Sequence, residues 1–136
     1  LSTFKLYALD VGLLRQLSEL DASVLLLSTP GYMEYKGALA ENYVLQSLTA
    51  QFQASFRYWT SGNKAEVDFL LQYDNHIYPI EVKADQNITG KSLIQYEKLF
   101  QPACRYSMLN LKQDGNLINI PLFLADKTKE LLKDKS

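Results

Sequence analysis

Residues 65–84, AEVDFLLQYDNHIYPIEVKA, restrict the fold more than any other stretch. Two β-rich runs flank Asp74-Asn75, a pair suited to the left-handed backbone of a two-residue hairpin loop. A loop of that length fixes the register: Tyr73 faces His76, Asp68 faces Glu81 and Glu66 faces Lys83. Side chains alternate along a strand, so Val67, Phe69, Leu71, Ile80 and Val82 share one face. That face suits a core. Glu66, Asp68, Glu81 and Lys83 share the other, which sets three acids and a lysine side by side.

Two readings of the charged face stay open. Opposed side chains on a hairpin have Cβ atoms about 4.5–5.5 Å apart, and carboxylates that close repel unless something positive lies between them. A hard divalent ion fits, because Mg²⁺ takes oxygen ligands and often needs only one or two carboxylates beside water and phosphate oxygens. Lys83 would then lie near the same ion, placed to orient a water or to stabilise phosphate charge. The other reading is the solvated face of an ordinary antiparallel hairpin, decorated with mixed charges.

The rest of the chain supplies a frame for that hairpin. FKLYALDVGLLRQLSEL, 4–20, begins extended and turns helical, with Asp10 as N-cap and Leu13, Leu14 and Leu17 on one side. An apolar connection follows, with a turn expected at Thr29-Pro30-Gly31. Leu39, Tyr43, Val44, Leu48 and Phe52 recur at helical spacing and predict a helix over 37–52. Strands are expected at 55–60, 66–73, 77–83, 105–111 and 117–124, with turns at SGNK and QDGN. KSLIQYEKLF predicts a helix over 91–100, stopped by Pro102, and 127–133 a short solvated terminal helix. A helix between strands implies a crossover to a parallel neighbour, whereas the hairpin implies an antiparallel pair. The expected fold is therefore α/β, a mixed sheet flanked by helices on both faces, with core order α-β-β-β-α-β.

With 136 residues, the chain suits a single domain. Its formal charge is −1, from 14 Lys and Arg against 15 Asp and Glu, which lacks the basic excess of a dedicated nucleic-acid binder. Cys104 is the one cysteine, so an internal disulfide is excluded; with no secretory signal and no membrane-length apolar run, a cytoplasmic location is expected. His76 sits at the hairpin turn, which speaks against histidine catalysis. Nine tyrosines and Trp59 suit a protein interface, although most such residues serve as core.

Val67-Asp68-Phe69 followed by Ile80-Glu81-Val82-Lys83 resembles the signature of the PD-(D/E)XK nucleases, the restriction-endonuclease-like fold. The resemblance implies that Asp68 and Glu81 bind Mg²⁺ or Mn²⁺ and that Lys83 assists the attacking water. It adds Glu41, on the first helix, as a further metal ligand, and Gln95 and Glu66 as accessory residues. Lys64, Arg57 and Lys91 are the candidate phosphate-binding residues. The proline that often precedes the first acid is replaced by Val67. Four blocks together, FKLYALDVGLL, GALAENYVLQSL, YWTSGNKAEVDFLL and IYPIEVKA, are similar to the uncharacterised C-terminal domain of bacterial and archaeal AAA+-type ATPases. On that resemblance, 1–136 is a single domain with its core at 36–124, a fragment following an ATPase and a winged-helix segment. The chain itself holds no G-x-x-x-x-G-K-[ST] phosphate loop. DNA or RNA cleavage is the implied activity. A non-catalytic assembly, regulatory or partner-binding module of the ATPase is the alternative, with a second copy of the chain, as a homodimer, among its expected partners.

Overall fold

The computed structural model describes residues 5–21, 23, 26, 29–54, 56–60, 66–85 and 102–133. It is a mixed α/β structure. Six strands form one sheet in the order β1-β2-β3-β4-β6-β5. They are β1 (Arg57–Thr60), β2 (Glu66–Tyr73), β3 (His76–Val82), β4 (Ala103–Ser107), β5 (Lys112–Asp114) and β6 (Leu117–Pro121). The first three run antiparallel, β3, β4 and β6 run parallel, and β5 returns antiparallel along β6. Among the described residues there are three α-helices: α1 (Val11–Leu17), α2 (Pro30–Phe52) and α3 (Thr128–Lys133), the last preceded by a 3₁₀ segment, Leu122–Lys127.

The hairpin register is the one that the loop length dictates as far as Phe69–Ile80, but the expected pairs Asp68–Glu81 and Glu66–Lys83 are not part of the ladder, because Asp68 takes the Val82 amide instead. Tyr73 pairs with His76, and the pairing continues to Phe69 with Ile80. Asp74 and Asn75 both take positive φ, 49° and 61°, as a tight turn of this kind requires. The apolar face of the hairpin packs under α2. Val44 and Leu48 of the helix join Phe69, Leu71, Tyr78, Ile80 and Val82 in one core with Cys104, Tyr106, Ile118 and Ile120. Burial of these side chains is the main favourable term in folding. Among the described residues, no helix is long and apolar enough to cross a membrane.

Several expectations are corrected. Pro30 starts α2 rather than marking a turn, because the first helical position needs no N–H donor and proline's fixed φ suits it. The strand expected over 105–111 stops at Ser107. There Asn119 donates to the carbonyl of Asn110 at 2.9 Å and accepts from the Ser107 hydroxyl at 2.7 Å, which bends the chain away. Lys112–Asp114, expected mostly as turn, is a short exposed strand, and the turn follows at Gly115 with φ 58°. The last strand ends at Pro121, where the 3₁₀ segment takes over. α3 is docked rather than solvated: Leu132 is buried, and Gln51 grips the helix start by donating to Ala125 O (2.7 Å) and accepting from Lys129 N–H (3.0 Å). Along α1, Leu13 and Leu17, expected on one helical side, are exposed to solvent. The helix expected over 91–100 lies outside the described residues, so helices on both faces are not established. The parallel pairing of β3 with β4 is present as expected.

One buried hydrogen-bond relay ties α3 to the sheet. The Tyr106 hydroxyl donates to Thr128 Oγ1 at 2.7 Å, and the Thr128 hydroxyl in turn donates to Ala125 O at 2.8 Å. Burial pushes the Tyr106 phenol well above its ordinary value, so it stays a donor. Tyr106→Phe is expected to cost about 1 kcal/mol in urea denaturation, the net worth of one neutral hydrogen bond. An unchanged midpoint would show that the relay does not hold the helix.

Candidate metal and phosphate site

The site forms where the hairpin ladder ends. Beyond Phe69–Ile80, the inward amide of β3 belongs to Val82. It donates to the Asp68 carboxylate, Oδ2, at 2.8 Å rather than to a strand carbonyl. Asp68 is thereby fixed at the mouth of the strand pair, its side chain 14% exposed. Glu41 approaches from α2, Glu81 and Lys83 come from the end of β3, and Arg105 comes from the parallel neighbour β4. The extended segment ahead of α1 adds Lys5 and Tyr7.

Opposite charges alternate through this region. The Lys5 ammonium lies 3.8 Å from Glu41 Oε2 and 3.5 Å from Asp68 Oδ1. The Tyr7 hydroxyl donates to Glu41 at 3.1 Å. Lys83 sits 3.3 Å from Glu81 Oε1, and its charge is also felt at Asp68. Arg105 Nε donates to Glu81 Oε2 at 3.1 Å. Glu81 is almost wholly buried, which overturns the solvated-face reading for this residue. Its neighbour in register, Arg105, supplies the charge that makes such burial tolerable.

The Asp68 carboxyl is strongly displaced. Burial, first, and the nearby Glu41 charge raise its pKa from 3.8 to about 6. The Val82 amide, Lys5 and Lys83 pull the other way and do not cancel the rise. A carboxylate held in that state gains by meeting a cation.

Glu41 and Asp68 offer oxygens only, and a positive group, Lys5, already bridges them. Such a pair fits Mg²⁺ or Mn²⁺ completed by water and phosphate oxygens. Among the described residues, no three His, Cys, Asp or Glu side chains converge as a closed metal cage. Glu81 faces Arg105 and Lys83.

The remaining candidates are more dispersed. Arg57 lines a cavity of about 120 Å³ with Lys5, Tyr7 and Asp68, beside the site. Glu66 opens β2 and pairs with Thr60. Lys64, Lys91 and Gln95 lie outside the described residues. His76 is exposed at the turn, and Cys104 is buried in the core. Lys5, Tyr7 and Arg105 were not singled out from the sequence. Arg105 had a signal available, as a lone charge inside the otherwise uncharged strand ACRYS; Lys5 and Tyr7, in FKLYAL, had none pointing to a residue more than 30 positions away.

The profile of a family described as Domain of unknown function (DUF4143) matches residues 36–122. No curated protein and no solved structure matches the chain. The family match spans most of the chain, and the chain belongs to that family.

Proposed function

We propose that this member of the DUF4143 family has the restriction-endonuclease-like fold of the PD-(D/E)XK nucleases and is a divalent-metal-dependent phosphodiesterase acting on DNA or RNA, joined in its parent protein to an AAA+-type ATPase. The observation that carries the reading is Asp68: a carboxyl with its pKa raised to about 6, set beside Glu41 with a cation bridging the two. Asp68 and Glu41 would hold the ion, with Glu81 as the further ligand that the PD-(D/E)XK resemblance implies. When bound, Mg²⁺ or Mn²⁺ polarises the scissile phosphate and acidifies a water. Lys83 is 39% exposed along its side chain, free enough to turn from Glu81 toward that water or a phosphate oxygen. Arg57, exposed beside the site, is the described candidate for holding the substrate backbone, with Lys64 and Lys91 as further candidates.

Calorimetric titration with Mn²⁺, on this chain and on Asp68→Asn, tests the metal site. Millimolar or tighter binding is expected in the parent and its loss in the variant. Cleavage of labelled single- and double-stranded oligonucleotides, dependent on Mn²⁺ and abolished by Lys83→Met, is the matching activity result. Binding that survives Asp68→Asn would sink the site as drawn here.

A second reading is favoured by one feature. Leu6, Leu9 and Leu17, on the segment that carries Lys5 and the helix after it, are 85%, 86% and 69% exposed. Leucines so placed suit a contact with another protein surface. On that reading the domain is an assembly or regulatory module, and its partner covers these leucines.

A further inference from the structure

We infer that Lys5, carried on a strap that runs from Lys5 to Ala8, is a built-in competitor for the cation site, and that divalent-ion loading displaces its ammonium to solvent. The inference rests on Glu41 and Asp68 being cation ligands. It adds which residue of the chain holds them when no ion does.

Geometry supports the exchange. The Lys5 ammonium lies within 4 Å of one oxygen from each carboxylate, the position that a shared cation needs. The two cations compete, since a divalent ion coordinating the same oxygens at roughly 2 Å would set a second positive charge beside the ammonium on one carboxylate pair. The strap is held by contacts separable from the ion pair. Ala8 N–H donates to Asn42 Oδ1 at 2.8 Å, and the Tyr7 ring packs on Phe69 with centroids 5.5 Å apart. Lys5 is 28% exposed along its side chain, so its ammonium can swing to water while those anchors stay. The strap also has room beside it. A cavity of about 220 Å³ is lined by Lys5, Tyr7, Leu14, Glu41 and Asn42. The Asn42 amide nitrogen there is buried without a hydrogen-bond partner among the described residues.

Charge accounting gives the physical reason for such a strap. Two carboxylates sharing a half-buried site repel, and removing the ammonium leaves that repulsion uncompensated until an ion arrives. Lys5 therefore stabilises the ion-free protein and weakens its affinity for the ion. The cost is a matter of one unit charge at short range in an intermediate dielectric.

The test uses Lys5→Met in the same chain, titrated with Mn²⁺ and followed by the loss of free-ion paramagnetic resonance signal. The variant is expected to bind roughly tenfold more tightly than the parent. Acetylation of the unmodified protein gives an independent reading that needs no variant. Lys5 labelling, measured by mass spectrometry, is expected to rise with Mg²⁺ while labelling of exposed Lys112 stays constant. Equal Mn²⁺ affinity in parent and variant, with both abolished by Asp68→Asn, would overturn the strap and leave the metal site standing. Unchanged Lys5 labelling in an ion-loaded protein would overturn it too. No Mn²⁺ binding in either protein would instead remove the site reading on which the strap depends.

Discussion

Arg105→Met lowers the free energy of unfolding by about 3–5 kcal/mol, the cost of leaving a buried charge without its main partner. Glu81 is 4% exposed along its side chain and Arg105 10%, so neither is relieved by water. Lys83 is the other charge on Glu81, but it is partly solvated and its attraction is correspondingly screened. The loss comes from the orphaned carboxylate rather than from the pair's own worth, and a second substitution separates the two. Glu81→Gln combined with Arg105→Met removes both charges and is expected to recover more than half of the lost stability. Urea denaturation of the two single variants and the double variant measures this directly. A loss below about 1 kcal/mol for Arg105→Met would mean that Glu81 is hydrated from the Lys83 side.

Asp68→Asn stabilises the ion-free protein at pH 8. The native carboxyl titrates at about 6 against an ordinary 3.8, so the folded state holds a proton that the unfolded state has released. Stability therefore falls as pH rises from about 4 to about 6, and above that window the penalty is present in full. The gap corresponds to about 3 kcal/mol at most, reduced by whatever the asparagine loses at the Val82 amide and at Lys5. The variant's stability is expected to vary less across that window. Saturating Mn²⁺ should reverse the order at pH 8, because the parent gains from ligation and the variant does not. A variant that is less stable than the parent at pH 8 without metal would show that the Val82 contact outweighs the burial of charge.

These two residues also mark what could be read from the chain. Asp74-Asn75 is a local signal, and once it sets the loop length every pair from Tyr73–His76 to Phe69–Ile80 follows. Val44 and Leu48 are equally local, since helical spacing alone puts them on the core. Asp68 and Glu81 were visible as acids in apolar strands, but their environments were not. Burial of Glu81 depends on β4 lying parallel beside β3, a pairing between segments more than 20 residues apart. Lys5 reaches Asp68 across 63 residues, and nothing in FKLYAL announces it. Pro30 misled for a related reason. The same residue breaks a helix or starts one, and only the packing of the segment after it decides which. Lys112–Asp114 lacked any alternation to find, because all three residues are exposed on an edge.

The grip of Gln51 on the junction of the 3₁₀ segment and α3 has a consequence for how the chain is made. Its partners lie 74 and 78 residues further along. At ribosomal speeds of roughly 5–20 residues per second, α2 emerges some 4–15 seconds before the groups that will cover its far end. Within that interval Phe52, Leu48 and Val44 are covered stepwise, first by the hairpin and then by β4 and β6. The nascent helix and hairpin form a half-built core with an open side, the stage at which a chaperone would find most to hold.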